Sequence, residues 1–313
     1  MKLVIVEGIP GSGKSSTARF ISLQLERNGV QTELFHESTF QHPILLEEVI
    51  NNSEQWQASY LSKWKKFISN NADMQTVCVF ESVLFQSPII NLLHLDTDQS
   101  EIIRFIDEIL SSLSTVDCSL VYLYQNDPGV GINRMMATRG GESWLENTYE
   151  KYKHFPYYKN RGHSGKELHL KFLDDYSKIA GHLFSECRIN SIGIDNSNWE
   201  WDQDYGTIMS FLGHDICPDP EISLEELEVF IGFFRSDELG LTIQIQMGKD
   251  GLYIFGDQKL KPRDKNKFYL DNISMSLEFL FNGESNPFEV LIYEKDIVGN
   301  RNDIGSKFIK ITN

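Results

Sequence analysis

The chain has 313 residues, 41% of them apolar and 24% charged, and a formal charge of -16 at pH 7. That length and balance suit an ordinary folded protein with a sizeable core, divided into two domains, and exclude a fibrous or low-complexity chain. The acidity argues against long nucleic acid as a partner, because its phosphates would be repelled everywhere except at a local basic patch.

The first element, KLVIV from Lys2, reads as a fully buried parallel strand, and the segment from Ser15 to Gly29 reads as a helix with Ala18, Ile21 and Leu25 on one face. Between them Gly8, Ile9, Pro10, Gly11, Ser12, Gly13, Lys14 and Ser15 fit G-x-x-x-x-G-K-[ST], with Ser16 next in line. Glycines let successive amides converge on one concavity, where the helix N-terminus favours the β- and γ-phosphates of a nucleotide. Lys14 adds a mobile full charge, and the Ser15 hydroxyl suits a magnesium ion that bridges phosphate oxygens.

A second strand is expected at 31–36 and ends at Glu37. In the helix predicted over 53–70, Trp56, Tyr60, Trp64 and Phe67 share one face, a spacing that serves core packing or a surface on which a flat ring could stack. A third strand at 76–80 ends at Glu81 and Ser82. Strand ends are where ligands bind in such alternating α/β chains, so one of the two carboxylates is expected to take a proton from an attacking hydroxyl and the other to hold the metal. A solvated helix cap accounts for either carboxylate taken alone.

A fourth strand at 119–124 leads through Pro128 into a short helix carrying Arg134 and Arg139, followed by Gly140 and Gly141. Arginines on such a flap can close over a triphosphate and stabilise charge in transfer. Residues 149–166 gather Lys151, Lys153, Lys159, Arg161 and Lys166 among aromatic side chains, a patch that could favour an anionic substrate. A fifth strand at 189–194 precedes Asp195, read as a cap for the following helix.

Taken in this order, the phosphate loop, the acidic residues after the second and third strands, and P-x-V-x-x-N-R-x-x-x-x-R-G after the fourth resemble the thymidylate kinase and deoxynucleoside kinase-like superfamily of P-loop kinases over about 200 residues. The resemblance implies a phosphotransferase with ATP (or GTP) as donor and Mg2+ as its metal. It makes Glu37 the base, Glu81 the acidic member of the family's acid–arginine pair, and Arg134 with Arg139 the lid arginines. The acceptor pocket would be bounded by Glu37, Glu81, Trp56 and Tyr60, with Ser15 and Glu81 on the metal. Ser82 departs from the pattern, since the family carries arginine there, and this weakens the case for a monophosphate acceptor. The segment 195–198 would face the adenine. The rival reading is a nucleotide-dependent ATPase or switch whose second domain binds a protein partner.

The first unit is expected to cover residues 1–213, and 214–222, with Pro218 and Pro220 among acidic residues, reads as a linker. Residues 223–313 switch to short alternating runs such as LTIQIQM and FEVLIYE with turns such as GKDG, which predicts a small antiparallel barrel or sandwich. Its FIGFF turn, Phe230 to Phe234, resembles the small β domain appended to β-lactamase-like hydrolases. Substrate selection, homodimer formation and plain stabilisation are all open for it. Cys78, Cys118, Cys187 and Cys217 lie far apart, without metal-ligand spacing, so reduced thiols are expected. No signal peptide or membrane-spanning run is visible, and a cytoplasmic protein without membrane contact is expected.

Overall fold

The computed structural model describes the chain apart from Ser38, Phe40, Gly140 and residues 163–164, 271–274, 284–286, 296–300 and 312–313, and apart from the side chains of residues 128, 138, 139, 294, 295 and 301–304. The chain divides into two compact units, Met1–Ile216 and Cys217–Asn313, with the division inside the stretch read as a linker.

In the first unit strands and helices alternate. The order is β1 (Lys2–Gly8), α1 (Lys14–Arg27), β2 (Thr32–Phe35), α2 (Ser53–Asn70), β3 (Val77–Glu81), α3 (Gln86–His94), α4 (Gln99–Leu113) and β4 (Asp117–Tyr124). It continues with α5 (Pro128–Arg139), α6 (Glu142–Tyr152), α7 (Pro156–Lys159), α8 (Lys166–Ser185), β5 (Asn190–Asp195) and α9 (Trp201–Leu212). The four later strands lie within two residues of their predicted positions. The sheet order is β2-β3-β1-β4-β5 and every pairing is parallel.

Parallel strands bury both faces, and β1 shows how. Leu3 and Ile5 point into a core shared with α2, α3, α4 and α8, including Trp64, Phe105 and Tyr176. Val4 and Val6 point the other way, onto Ala18, Ile21 and Leu25 of α1 and Ile208, Met209 and Leu212 of α9. Because all strands run the same way, their carboxyl ends meet along one edge, where Glu7, Glu37, Glu81, Gln125 and Asp195 emerge. Among the described residues no helix is long and apolar enough to cross a membrane.

The second unit opens with α10 (Leu224–Leu227), whose start carries a complete capping box between Ser223 and Glu226. Eight strands follow: β6 (Gly232–Ser236), β7 (Leu241–Met247), β8 (Leu252–Ile254), β9 (Gln258–Asp264), β10 (Lys267–Tyr269), β11 (Ser276–Phe281), β12 (Pro287–Lys295) and β13 (Arg301–Lys310). Each pairs antiparallel with the next, and β13 returns to β6, so the sheet closes into a barrel with no free edge. Inward residues, among them Phe234, Ile245, Phe268, Phe279, Val290 and Phe308, fill the interior, as expected for a barrel this small.

Candidate active site

The loop between β1 and α1 turns through three glycines with positive φ: 155° at Gly8, 81° at Gly11 and 89° at Gly13. At two of them a side chain is also excluded by contact. A β-carbon built on Gly8 would lie 2.3 Å from the Leu123 carbonyl oxygen, and one on Gly13 would lie 2.4 Å from Cη2 of Trp201. The left-handed Gly13 aims the first amides of α1 into the concavity formed by residues 8–15. Lys14 lies across it, buried, its Nζ donating to the Ile9 carbonyl oxygen at 3.1 Å.

Glu81, at the tip of β3, is the hub. Its Oε1 accepts from the Ser15 hydroxyl at 3.3 Å and from the Ser82 hydroxyl at 2.7 Å, and its Oε2 accepts from the Glu37 amide at 3.1 Å. Ser82 holds a left-handed φ of 65°, so that its buried side chain turns back onto Glu81. Glu37 itself is exposed, and its Oε2 accepts from Gln86 Nε2 at 2.7 Å. The structure thus brings together the loop residues, Lys14, Ser15, Glu37 and Glu81.

Other expected site residues fall elsewhere. Trp56 and Tyr60 are buried in the core, where their rings stack on each other at 4.6 Å and Phe105 packs nearby. The Tyr60 hydroxyl donates to the Val83 carbonyl oxygen at 2.5 Å. Of the two readings the helical spacing allowed, core packing or a surface for a flat ring, the burial of both rings is that of core packing. Arg134 is drawn to the loop after β5, with Nη2 donating to the Ser197 carbonyl oxygen at 2.7 Å and its guanidinium 4.6 Å from the centre of the Trp199 ring. The side chain of Arg139 lies outside the described residues. Asp195 does not cap α9. Its carboxylate binds Asn126 and Ser197 and so braces its own loop. In the basic stretch, Arg161 pairs with Asp96, Lys153 with Glu150 and Lys166 with Glu142, which spends those charges on structure.

Three residues at the site take parts that the sequence reading did not give them. Glu7 is fully buried, and its carboxylate accepts from the amides of Leu84, Phe85 and Gln86 at 2.6, 3.0 and 3.1 Å. Burial pushes its pKa up to about 7, against the pull of those three donors and the nearby Lys14. A lone carboxylate in the apolar run KLVIVEG was the signal. Asn196, also buried, donates from Nδ2 to the Ser12 carbonyl oxygen at 2.5 Å and so ties the loop after β5 to the phosphate loop. Gln86 gave no signal, since it meets Glu37 only through the fold.

The residues fit a magnesium nucleotide. The Ser12 hydroxyl and Asn196 Oδ1 are buried beside the loop with no protein partner. Among the described residues no group of three or more His, Cys, Asp or Glu forms a metal cage. Magnesium needs none, because it binds through one or two protein oxygens and completes its shell with phosphate and water. Ser15 and Glu81 are the protein oxygens suited to it.

No family model and no curated protein sequence matches the chain. Among solved structures, the YorR protein of Bacillus subtilis in complex with phosphorylated GDP is similar over 68% of this chain and 96% of its own, at 15% identity and a TM-score of 0.41. Deoxyadenosine kinase from M. mycoides with bound dATP is similar over 68% of this chain and 100% of its own, at 19% identity and a TM-score of 0.38.

Proposed function

We propose that the protein is an ATP-dependent phosphotransferase, with GTP as an alternative donor, that phosphorylates a small nucleoside-like, nucleotide-like or antibiotic-like molecule on a hydroxyl or phosphate. The observation that carries this reading is the joining of a complete phosphate loop to two acidic strand ends: Ser15 on Glu81, and Glu81 on Glu37. A loop that only held nucleotide would not require a second carboxylate at its mouth.

In this reading the loop amides and Lys14 bind the donor's terminal phosphates, positioning them and balancing their charge. Magnesium, held by Ser15 and Glu81, would supply further neutralisation of phosphate charge. Glu37, exposed beside the loop, accepts the proton of the acceptor hydroxyl as its oxygen attacks the terminal phosphorus and the bond to the leaving diphosphate breaks. Arg134 closes from α5 over the phosphates. The test is a metabolite library incubated with ATP and magnesium and read by the mass gain of one phosphoryl group. Transfer by the wild-type protein, with loss of at least a hundredfold in Lys14→Ala, is expected. Normal turnover in Lys14→Ala, or no ATP or GTP binding at millimolar concentration, overturns the proposal.

A further inference from the structure

Helix α3 starts without a cap of its own: Phe85 stands at the N-cap position and provides no side-chain acceptor. The acceptor comes instead from β1, where the buried Glu7 carboxylate gathers the amides of Leu84, Phe85 and Gln86. Glu7 immediately precedes Gly8, the first residue of the phosphate loop. The end of the loop's own strand is thereby fastened to the first residue of α3. That residue, Gln86, half-buried, then reaches outward and donates to Oε2 of Glu37 at 2.7 Å.

We propose that Gln86 is a positioning residue for the Glu37 carboxylate, and that Glu7, by fixing the start of α3, sets Gln86 in register with the phosphate loop. The inference rests on the phosphotransferase reading and adds to it the device that aligns donor and acceptor sides. A carboxylate on an exposed turn rotates freely. A donor on Oε2 orients the plane of the carboxylate that is to meet the acceptor hydroxyl. Glu37 is held from two sides, through its amide by Glu81 and through its carboxylate by Gln86, and both anchors trace back to strands flanking the loop. The arrangement also accounts for a carboxylate buried at the end of this strand. Its oxygens sit against three amides at a helix start, whose pull toward the ionised form is outweighed by burial.

The experiment measures ATP affinity by calorimetry and ATP turnover, with water or an acceptor taking the phosphoryl group, in the full-length wild type, Gln86→Leu, Glu7→Gln and the double variant. Glutamine at position 7 would face the Gln86 amide with a donor and break the cap. The leucine variant changes a half-buried side chain and keeps the fold testable if Glu7→Gln unfolds. The expected result is turnover lowered tenfold or more in each single variant, ATP affinity within twofold of wild type, and a double variant no worse than either single one. Unchanged turnover in Gln86→Leu, or losses that multiply in the double variant, overturns the inference and leaves the kinase reading standing. Wild-type protein that binds ATP but turns none over, even to water, removes Glu37 from the role of base and Gln86 with it. Wild-type protein that binds no ATP removes the kinase reading itself.

Discussion

At Gly13 two independent constraints meet: a left-handed backbone at φ 89° and the Trp201 ring, which leaves no room for a β-carbon. Alanine there is expected to cost about 1–3 kcal/mol from backbone strain plus overpacking, and to weaken nucleotide binding because the first amides of α1 would swing away. Urea denaturation and ATP calorimetry on Gly13→Ala check both; stability and affinity equal to wild type would show that the loop relaxes freely. Trp199 is the second residue under constraint, a bulky side chain at φ 57° and 40% exposed, with Arg134 over its ring. If Arg134 leaves that ring to close on bound phosphates, tryptophan emission should change on adding magnesium-ATP, and the change should be smaller by at least half in Trp199→Phe. An equal change in both proteins would place the response at another tryptophan. The phosphate loop and its glycines were legible because their residue types answer to local backbone geometry. The contacts of Gly13 with Trp201 and of Glu37 with Gln86 were not, because each joins segments far apart in sequence.

Between elements, the packing of α3 on α8 depends on imidazoles that stay neutral. His94 of α3 stacks with Phe155 and Phe172, and His169 of α8 takes a hydrogen-bond contact of 2.9 Å with the Tyr158 hydroxyl. Burial pushes the two histidines down to about 3 and about 4, respectively. As pH falls below 6.5, the unfolded chain takes up two protons that the folded one refuses, so stability drops by about 1.4 kcal/mol per pH unit for each histidine until their folded values are reached. Glu7 works in the opposite direction: its raised value means that stability is lost as pH rises from its ordinary 4.5 toward 7. Between pH 6.5 and 4.5 two histidines oppose one glutamate, so a net loss toward acid is expected. His94→Phe keeps a ring in the aromatic cluster and removes an imidazole nitrogen that is buried with no partner. Its melting temperature should fall less steeply than wild type over that range; parallel slopes in calorimetric scans would show that His94 does not carry the acid loss. The element order itself was visible in the hydrophobic pattern. The aromatic face of α2 was visible too, but spacing alone could not say whether a protein core or a ligand would cover it, and the core does.

At the scale of the whole molecule, the hydrophobic clusters of the two units share no residue among those described: those of Met1–Ile216 are built on the parallel sheet and that of Cys217–Asn313 on the barrel interior. The change from mixed helix and strand to short alternating runs announced the second unit, and the acidic, proline-bearing stretch before it announced the division. The alternating runs allowed a barrel or a sandwich and did not decide between them. Closure depends on the last strand finding the first, with Ile309 opposite Arg235, Lys310 opposite Phe234 and the Ile311 amide donating to the Phe233 carbonyl oxygen, and no local pattern encodes that meeting. Separate cores imply separate cooperative units. Phe279 is fully buried among Phe230, Phe234 and Phe268. Phe279→Ala should therefore cost the barrel about 3–5 kcal/mol, the range for a large aromatic removed from a packed core. Scanning calorimetry should show two transitions in the wild type, of which only the barrel's moves to lower temperature in the variant, while magnesium-ATP raises only the other. A single transition that shifts as a whole, or a loss of ATP affinity in Phe279→Ala, would show that the barrel supports the nucleotide-binding unit.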